Sequence, residues 1–325
     1  MTFRVVFLWD VPARVRDLFR SRCPQFDLVF PDGELGSPSL VAEADAAVGW
    51  RISPEQLDAA KRLRLFQTPA AGPEWHVPLF RRFPHIPACN SHGNARSVAE
   101  STVTLLLAQM KQVAFHDRAM RAGEWRLWLD DRPSGLVEGK TLGLLGLGAI
   151  ARRVADLARA FGMKVRAVKR SPAPEPGFEW IGGPAEVKSL LAASDAVVVA
   201  IPLTPETKGM LNRETLAAAK PGLVLVNVSR GEVVEEDALF DALKNGPLGG
   251  AALDVWYDYR PSPDAQGRKF PWHRPFHELP NVTLSPHRAA SPLDDLGRWE
   301  DIIENLERVA RGEPPLNRID LERGY

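Results

Sequence analysis

The chain is poor in cysteine and carries no excess of charge of either sign. Only two cysteines, Cys23 and Cys89, occur among its 325 residues. We therefore expect no disulfide scaffold, and because no Cys/His cluster has the spacing of metal ligands, we expect no metal site. Lys and Arg together number 41, as do Asp and Glu. This balance gives no electrostatic reason to expect nucleic acid or an anionic membrane surface as a partner.

Long apolar runs are also missing. No window of the sequence is long and apolar enough to span a membrane. The N-terminal stretch Met1–Trp9 lacks the basic start and the small-residue cleavage site of a signal peptide. Together with the low cysteine content, these features lead us to expect a cytoplasmic protein. The length of the chain predicts two domains rather than one.

The most informative stretch lies in the middle of the chain. An apolar run, Thr141–Leu145, leads into a turn that contains Gly146 and Gly148. An amphipathic segment, Ala149–Phe161, and a second apolar run, Lys164–Val168, follow. Strand, glycine turn, helix and strand in this order predict a dinucleotide-binding unit. Gly146 would permit the tight turn, Gly148 would let the backbone approach a pyrophosphate, and the helix N-terminus would offer N–H groups to the phosphates.

Strand and helix patterns alternate along the rest of the chain, which predicts parallel α/β sheets. The hydroxyl of Ser53 is expected to cap a helix over 53–63. Apolar spacing predicts one long helix from Val98 to about Gly123, and a last helix over 291–311.

Three polar residues stand at the ends of predicted strands in the second half of the chain. They are Arg230, Asp254 and His287. Parallel α/β sheets bind ligands beyond the carboxyl ends of their strands. Their position, more than their residue type, therefore makes these three side chains candidates for a functional site.

Seven short motifs follow one another along the chain, and their order makes them highly specific together. They are Ser97–Glu100, Gly139–Gly143, Pro202–Thr207, Lys220–Gly222, Asn227–Gly231, Leu253–Val255 and Ser285–His287. With these motifs the chain resembles the D-isomer-specific 2-hydroxyacid dehydrogenases over nearly its whole length.

The resemblance implies an α/β fold of two Rossmann-like domains with parallel sheets. The dinucleotide-binding domain, residues 98–289, is expected to be inserted into a discontinuous, flavodoxin-like substrate domain formed by residues 1–97 and 290–325. The helix that starts at Val98 is the usual dimer contact in this family, so the resemblance also implies a homodimer.

The chemistry expected of the family assigns roles to the strand-end residues. His287 is the expected general acid–base, since its pKa range suits giving a proton to a nascent alkoxide and taking it back. Arg230 is expected to clamp the substrate carboxylate and to polarise the 2-oxo group. The backbone N–H groups of Ala71 and Gly72, in a turn after a strand of the first domain, are the expected second carboxylate anchor.

The resemblance also implies a set of cofactor-binding residues. Asp254 matches the position that faces the nicotinamide carboxamide, and a strand-end Asp bonded to a backbone amide is the alternative interpretation. The other residues expected to contact the cofactor are Gly146, Gly148, Ala149, Ile150, Lys169, Arg170, Ser171, Pro202, Thr207, Val228 and Ser229.

One position departs from the family pattern. Many members place a Glu five residues after the Asp, where it bonds the catalytic His and raises its pKa; formate dehydrogenases have a Gln there. Here Tyr259 occupies that position. Either Asp258 or another carboxylate supplies the charge, or His287 has neutral partners and titrates lower, which would favour reduction at mildly acidic pH. We favour the second interpretation and count Tyr259 among the catalytic residues. The loop over 256–276 either covers the site or contacts a second subunit.

The end of the second strand of the nucleotide unit indicates the cofactor. NAD-binding members have an Asp or Glu about twenty residues after the glycine turn, where it binds the ribose 2′-hydroxyl. This chain has Lys169, Arg170 and Ser171 at the strand end, and no acid. Two cations and a hydroxyl suit a 2′-phosphate, so we predict NADP rather than NAD.

These observations predict an oxidoreductase that transfers a hydride between NADP(H) and a small 2-oxo acid, such as glyoxylate or hydroxypyruvate, giving the D-2-hydroxy acid. One alternative is a formate-type dehydrogenase of a small donor, which the run Asp254-Val255-Trp256 suggests. The other is a non-enzymatic, cofactor-sensing protein of the same fold, like certain transcriptional corepressors; the balanced charge argues against it.

Overall fold

The computed structural model describes residues 2–33, 35–125, 134–290 and 297–325. The chain divides into two compact units, one formed by Met1–Asn94 with Asp294–Tyr325 and the other by Ala95–Leu293. Each unit is built on one parallel sheet, so the predicted α/β fold with two parallel sheets is confirmed.

Twelve strands and ten α-helices occur in the described part of the chain. The strands are β1 Arg4–Phe7, β2 Asp27–Val29, β3 Ala46–Val48, β4 Leu65–Gln67, β5 Ala88–Cys89, β6 Thr141–Leu145, β7 Lys164–Val168, β8 Trp180–Gly182, β9 Ala196–Val199, β10 Leu223–Asn227, β11 Leu248–Leu253 and β12 Val282–Leu284. The helices are α1 Ala13–Arg22, α2 Pro54–Ala59, α3 Val77–Phe80, α4 Ala95–Met110, α5 Val113–Arg121, α6 Ala149–Ala160, α7 Val187–Ala193, α8 Arg213–Ala217, α9 Glu236–Lys244 and α10 Gly297–Ala310.

The first unit has the strand order β2-β1-β3-β4-β5, which is the flavodoxin-like doubly wound order. Side chains alternate along β1, so that Val5 packs with Phe19 of α1 and Ile302 of α10, whereas Val6 packs on the opposite face with Phe80 of α3. Because helices cover both faces of the sheet, its accessible polar groups lie at the strand ends.

Helix α2 begins as predicted and ends earlier than predicted. The Ser53 hydroxyl accepts the N–H of Gln56 at 3.2 Å, and the Gln56 side chain accepts the N–H of Ser53 at 3.0 Å. This reciprocal capping box fixes the start of the helix. The helix ends at Ala59 instead of Leu63, because Ala60 leaves the helical conformation with φ −79° and ψ 79°.

The second unit has the strand order β12-β11-β10-β9-β6-β7-β8. The chain moves outwards from β6 to β8 and then returns to β9 on the other side of β6, so the direction of winding reverses between β6 and β9. Val103 of α4 and Val154 of α6 belong to the core on one face of the sheet, and Leu190 of α7 and Leu239 of α9 belong to the core on the other. Open α/β sheets bind ligands at such a reversal, beyond the carboxyl ends of the strands.

The single long helix predicted from Val98 to Gly123 is wrong, because the structure has two helices there. Helix α4 ends at Met110 and α5 begins at Val113, with Gln112 between them at φ +57°. The Gln112 N–H donates to the carbonyl of Gln109 at 3.2 Å, which is a turn and not a continuing helix. No proline or glycine marks the break, so apolar spacing alone did not reveal it. Strand β8 and helices α3 and α8 have no counterpart among the elements predicted from the sequence.

The last helix, predicted over 291–311, is seen as α10 over Gly297–Ala310. Residues 291–296 lie outside the described residues. Within the described ranges, no helix combines the length and the apolar character needed to cross a membrane.

Candidate active site

The glycine turn after β6 has the geometry that a dinucleotide-binding turn requires. Gly146 has φ +96°, and a Cβ there would lie 2.6 Å from the carbonyl oxygen of Ala200 at the end of β9. Only glycine fits this position without displacing the backbone. Gly148 precedes α6 as its N-cap, and a Cβ there would meet no atom within 4 Å. The turn therefore leaves open space next to the N–H groups of Ala149 and Ile150, which suits a pyrophosphate.

The end of β7 carries the residues that were predicted to select the cofactor. Arg170 and Ser171 are exposed, and Lys169 is partly buried. The structure adds an acid that the local sequence did not reveal: the Glu175 carboxylate lies 2.5 Å from Lys169 Nζ and 2.6 Å from an Nη atom of Arg152 in α6. Hydrogen bonds from these two cations, Arg152 first, lower the pKa of Glu175 to about 2. Lys169 is therefore already paired with an anion from its own loop.

The loop after β9 is closed by Thr207. Its hydroxyl donates to the carbonyl of Pro202 at 2.6 Å and accepts the N–H of Thr204 at 2.8 Å. This bonding holds the segment from Pro202 to Thr207 in a compact turn at the strand end. Both residues that were predicted to contact the cofactor in this loop thus belong to one hydrogen-bonded turn.

Asn227, the last residue of β10, organises the turn that carries Arg230. Its side-chain oxygen accepts the N–H of Ser229 at 3.1 Å, and its side-chain nitrogen donates to the carbonyl of Arg230 at 3.0 Å. Val228 and Ser229 are almost fully buried, whereas Arg230 is partly exposed. Asn227 was not among the predicted site residues, although an Asn at the end of a buried strand is a recognised turn signal.

Asp254 follows β11 and is 1% exposed. Its carboxylate accepts the backbone N–H groups of Arg288 at 2.8 Å and Ala289 at 3.1 Å, and also the hydroxyl of Ser285. All of these donors belong to the segment that contains His287. This geometry corresponds to the alternative interpretation, in which the strand-end Asp binds backbone amides. Through these bonds Asp254 anchors the turn that carries His287.

His287 follows β12 in a left-handed conformation, with φ +57°, which residues other than glycine rarely adopt. Its Nδ1 lies 2.7 Å from the hydroxyl oxygen of Tyr259. The same oxygen accepts the backbone N–H of Trp256 at 3.3 Å. The carboxylate of Asp258 instead accepts the N–H of Arg260 at 2.8 Å. Tyr259, and not Asp258, therefore stands beside the imidazole.

The ends of β10, β11 and β12 bring these groups together. A Cβ on Gly231 would lie 2.4 Å from the carbonyl oxygen of Trp256, so the backbone after Arg230 packs directly on the backbone before Tyr259. Tyr259 is 55% exposed as a whole, but partial desolvation of its hydroxyl raises its pKa. The Trp256 hydrogen bond and the nearby charge of Arg230 partly oppose this effect. Tyr259 consequently stays protonated at neutral pH and acts as a neutral partner.

The loop that follows Trp256 packs on the second unit itself. The indole N–H of Trp256 donates to the carbonyl of Ser285 at 2.8 Å, and its ring lies 4.6 Å from that of Trp272. Phe276 is fully buried in the core of this unit. These contacts hold both ends of the loop close to the segment that carries His287.

Ala71 and Gly72 lie in the first unit, in the turn after β4. The Ala71 carbonyl accepts the side-chain N–H of Asn90 at 2.7 Å, and the Ala70 carbonyl accepts the N–H of Ser91 at 3.0 Å. Among the described residues, the N–H groups of Ala71 and Gly72 have no acceptor. The turn therefore presents two donors, which suits a carboxylate ligand.

The second unit has a doubly wound sheet with a glycine turn at its winding reversal, and a His–Tyr pair and an Arg lie at neighbouring strand ends. This arrangement is typical of dinucleotide-dependent dehydrogenases. The sequence model of the D-isomer specific 2-hydroxyacid dehydrogenase NAD binding domain matches residues 103–289. The chain belongs to this family, so the predicted family is confirmed.

Relatives and solved structures agree with this assignment. A glyoxylate reductase of Thermococcus kodakarensis is 35% identical over 292 residues, which are 87% of this chain and 85% of that protein. A D-3-phosphoglycerate dehydrogenase of Archaeoglobus fulgidus is 34% identical over 235 residues, but the match spans only 42% of its length. The crystal structure of a D-isomer specific 2-hydroxyacid dehydrogenase from Xanthobacter autotrophicus Py2, in complex with NADPH and MES, has a TM-score of 0.83 and 29% identity, with all of both chains covered.

Proposed function

We propose that the protein is an NADPH-dependent reductase of small 2-oxo acids, with glyoxylate and hydroxypyruvate as the first candidates. The observation that carries this proposal is the placement of the His287–Tyr259 pair and Arg230 at neighbouring strand ends of the dinucleotide-binding sheet. The Thermococcus kodakarensis protein, which is named a glyoxylate reductase and matches most of this chain, supports this choice of substrate.

The proposed reaction reduces a 2-oxo carbon to a hydroxyl-bearing carbon. NADPH, when bound, supplies the hydride. The Arg230 guanidinium binds the substrate carboxylate and draws electron density towards the carbonyl oxygen as negative charge develops there. Protonated His287 donates its Nε2 proton to that oxygen, while its Nδ1–H keeps its hydrogen bond to the Tyr259 oxygen. The same geometry accepts a proton at Nε2 in the oxidative direction.

NADPH is proposed over NADH because of the residues at the end of β7. Arg170 and Ser171 are exposed there and can reach a ligand, and the strand end itself carries no acid. The similar Xanthobacter protein was crystallised with NADPH, which supports the same cofactor here. Ala71 and Gly72 are retained as the proposed carboxylate donors of the first unit because their N–H groups have no acceptor in the described structure.

A panel assay tests the proposal. Each assay contains one 2-oxo acid, which is glyoxylate, hydroxypyruvate or a larger acid, together with NADPH or NADH. Formate is tested in the reverse direction with the oxidised cofactors. The nicotinamide absorbance is followed in every assay. We expect the highest kcat/KM for a small 2-oxo acid with NADPH. Formate oxidation, or cofactor binding with no turnover on any substrate, would replace the proposal by one of its two alternatives.

His287→Ala is the matched catalytic variant for this assay. Loss of the general acid should lower kcat by about 10²–10⁴-fold. The dissociation constant for NADPH, measured without substrate, should change little, because the imidazole is assigned to proton transfer. A kcat close to that of the parent protein would contradict the role of His287.

We also propose a cytoplasmic homodimer. Helix α5 has no buried residue and exposes Val113 and Met120, 54% and 52% accessible, on its surface. A second copy of the chain would cover these apolar side chains. Met120→Glu should then shift the mass measured by light scattering towards that of one chain; a parent protein that is already monomeric contradicts the proposal.

The proposed cytoplasmic location fits the state of the two thiols. Cys23 and Cys89 are buried and unpaired, as expected in a reducing compartment.

A further inference from the structure

The ion pairs of Glu175 lie among the residues proposed to recognise the cofactor. One carboxylate oxygen lies 2.5 Å from Lys169 Nζ and 3.2 Å from an Nη atom of Arg152, and the other lies 2.6 Å from the second Nη atom of Arg152. Lys169 directly follows β7, and Arg152 lies in the first turn of α6. Glu175 therefore bridges the strand end and the start of the helix next to the exposed Arg170 and Ser171.

A carboxylate in this position opposes the binding of a phosphate in two ways. It already pairs with Lys169, one of the two cations proposed to bind a 2′-phosphate, and with the neighbouring Arg152, so a phosphate placed there must displace it or share these cations. Its own negative charge also repels a phosphate dianion placed near the same cations. A ribose 2′-hydroxyl carries no charge and experiences neither effect to a comparable degree.

We propose that Glu175 is a specificity-determining residue that competes with the 2′-phosphate for Lys169 and Arg152 and so limits the preference for NADPH over NADH. This proposal rests on the proposed use of NADPH. Because the two cations hold the pKa of Glu175 at about 2, the carboxylate is charged at every pH at which the protein would work.

A second glutamate of the same loop provides a matched control. Glu179 pairs with Lys164 at 3.7 Å and with Arg166 at 3.3 Å, and both cations lie within β7 and before its carboxyl end. Removing the charge of Glu179 alters the net charge of the protein by the same amount as removing that of Glu175. Only the Glu175 pairs involve the residue at the strand end and the first turn of α6.

The test is calorimetric measurement of the dissociation constants of NADPH and NADH, without substrate, for the parent protein, Glu175→Gln and Glu179→Gln. We expect Glu175→Gln to tighten NADPH binding roughly ten-fold and to change NADH binding by less than about two-fold. Glu179→Gln should leave the ratio of the two constants unchanged. Glu175→Ala, which also removes the hydrogen-bond acceptor, should change the ratio in the same direction as Glu175→Gln.

The outcomes separate this inference from the proposed cofactor. An unchanged NADPH-to-NADH ratio in both Glu175 variants, or equal weakening of both cofactors, overturns the role of Glu175 and means that its ion pairs only support the loop. A parent protein that binds NADH more tightly than NADPH overturns the proposed cofactor instead. Even in that case, a shift of the ratio towards NADPH in Glu175→Gln supports the role of Glu175.

Discussion

His287 is oriented by two different contacts, one through its ring and one through its backbone. The Tyr259 hydroxyl bonds Nδ1, and the Asp254 carboxylate bonds the N–H groups of the two residues that follow His287. A hydroxyl can accept a hydrogen bond from the imidazolium or donate one to the neutral ring. It therefore orients the ring without the charge by which a carboxylate would stabilise the protonated form.

Replacing Tyr259 tests this difference in charge. Tyr259→Glu would place an anion beside the imidazole and stabilise its protonated form, so the acid form of His287 should persist to higher pH. The inflection of kcat/KM against pH for reduction should then move upwards by about one unit or more. Tyr259→Phe, which removes only the hydroxyl, should lower kcat/KM and displace the profile much less. Identical profiles for the parent protein and Tyr259→Glu would mean that another group sets the protonation of His287.

Replacing Asp254 distinguishes its two possible roles. Arg288 N–H and Ala289 N–H bond different oxygens of Asp254. Asparagine replaces one of these oxygens by an NH2 group, which cannot accept a hydrogen bond. Asp254→Asn should therefore lose one of the two bonds, loosen the left-handed turn at His287 and misplace the ring. We expect kcat to fall by about 10²-fold with a smaller change in the KM for the cofactor. Ser285→Ala, which removes one donor and keeps the carboxylate, should have a much weaker effect. A raised cofactor KM with unchanged kcat would favour the carboxamide contact instead.

At the scale of secondary structure elements, the connection from β6 to α6 fixes the position of the cofactor turn. Gly146 and Gly148 are two residues apart but have different reasons to be glycine. Gly146 needs a left-handed φ, and a Cβ added to it would lie 2.6 Å from the end of β9, whereas Gly148 has φ −87° and open space around it. The first glycine serves the fold, and the second leaves room for a ligand.

The two alanine variants should therefore behave differently. Gly146→Ala combines backbone strain with a clash and should lower the free energy of unfolding by about 3 kcal/mol. Gly148→Ala should cost less than about 1 kcal/mol, the weak N-cap preference for glycine over alanine, but should weaken cofactor binding. Thermal unfolding and a cofactor titration of both variants measure these effects. Equal losses of stability would contradict the distinction.

The break between α4 and α5 shows where element-level prediction from the sequence reached its limit. Apolar residues continue at helical spacing across Lys111 and Gln112, and neither residue is a helix breaker. The break rests on the left-handed Gln112 and on its bonds to the Gln109 carbonyl. No propensity rule anticipates a left-handed glutamine, because residues other than glycine, asparagine and aspartate seldom adopt this conformation.

At the scale of the whole molecule, a buried histidine should make stability depend on pH. His76 lies in the core of the first unit, 4% exposed, and burial lowers its pKa to about 4. In the unfolded chain a histidine titrates near 6.5. Between these values the unfolded state binds more protons, so stability is fully present above pH 6.5 and falls as the pH drops towards 4.

The size of this effect follows from the shift. Lowering the pH from 7 to 4 should remove about 3 kcal/mol of stability through His76 alone. Unfolding in urea at several pH values, with His76→Gln compared with the parent protein, isolates its contribution, because the carboxylates titrate equally in both. The difference in free energy of unfolding between the parent protein and His76→Gln should shrink as the pH falls. His85→Gln, which replaces a histidine at an exposed position, is the matched control variant.

The sequence by itself determined the fold class, the family and the dinucleotide-binding unit. Each depends on local patterns: apolar strands, the spacing of Gly146 and Gly148, and motifs that end strands with Arg230 or His287. A parallel sheet places such strand ends along one edge, so their proximity follows from topology alone. The substitution of Tyr259 for the usual Glu was also visible without the structure.

Only the tertiary structure decided which groups contact each other. Asp254 bonds backbone N–H groups more than thirty residues away, and Glu175 returns along its loop to pair with Lys169 and Arg152. Such contacts depend on loop conformation and on the orientation of side chains from elements that are distant in the chain. The contacts of Asp254 and Glu175 produce no periodic pattern in the sequence, because a single hydrogen bond or ion pair constrains one side chain rather than a whole helix or strand.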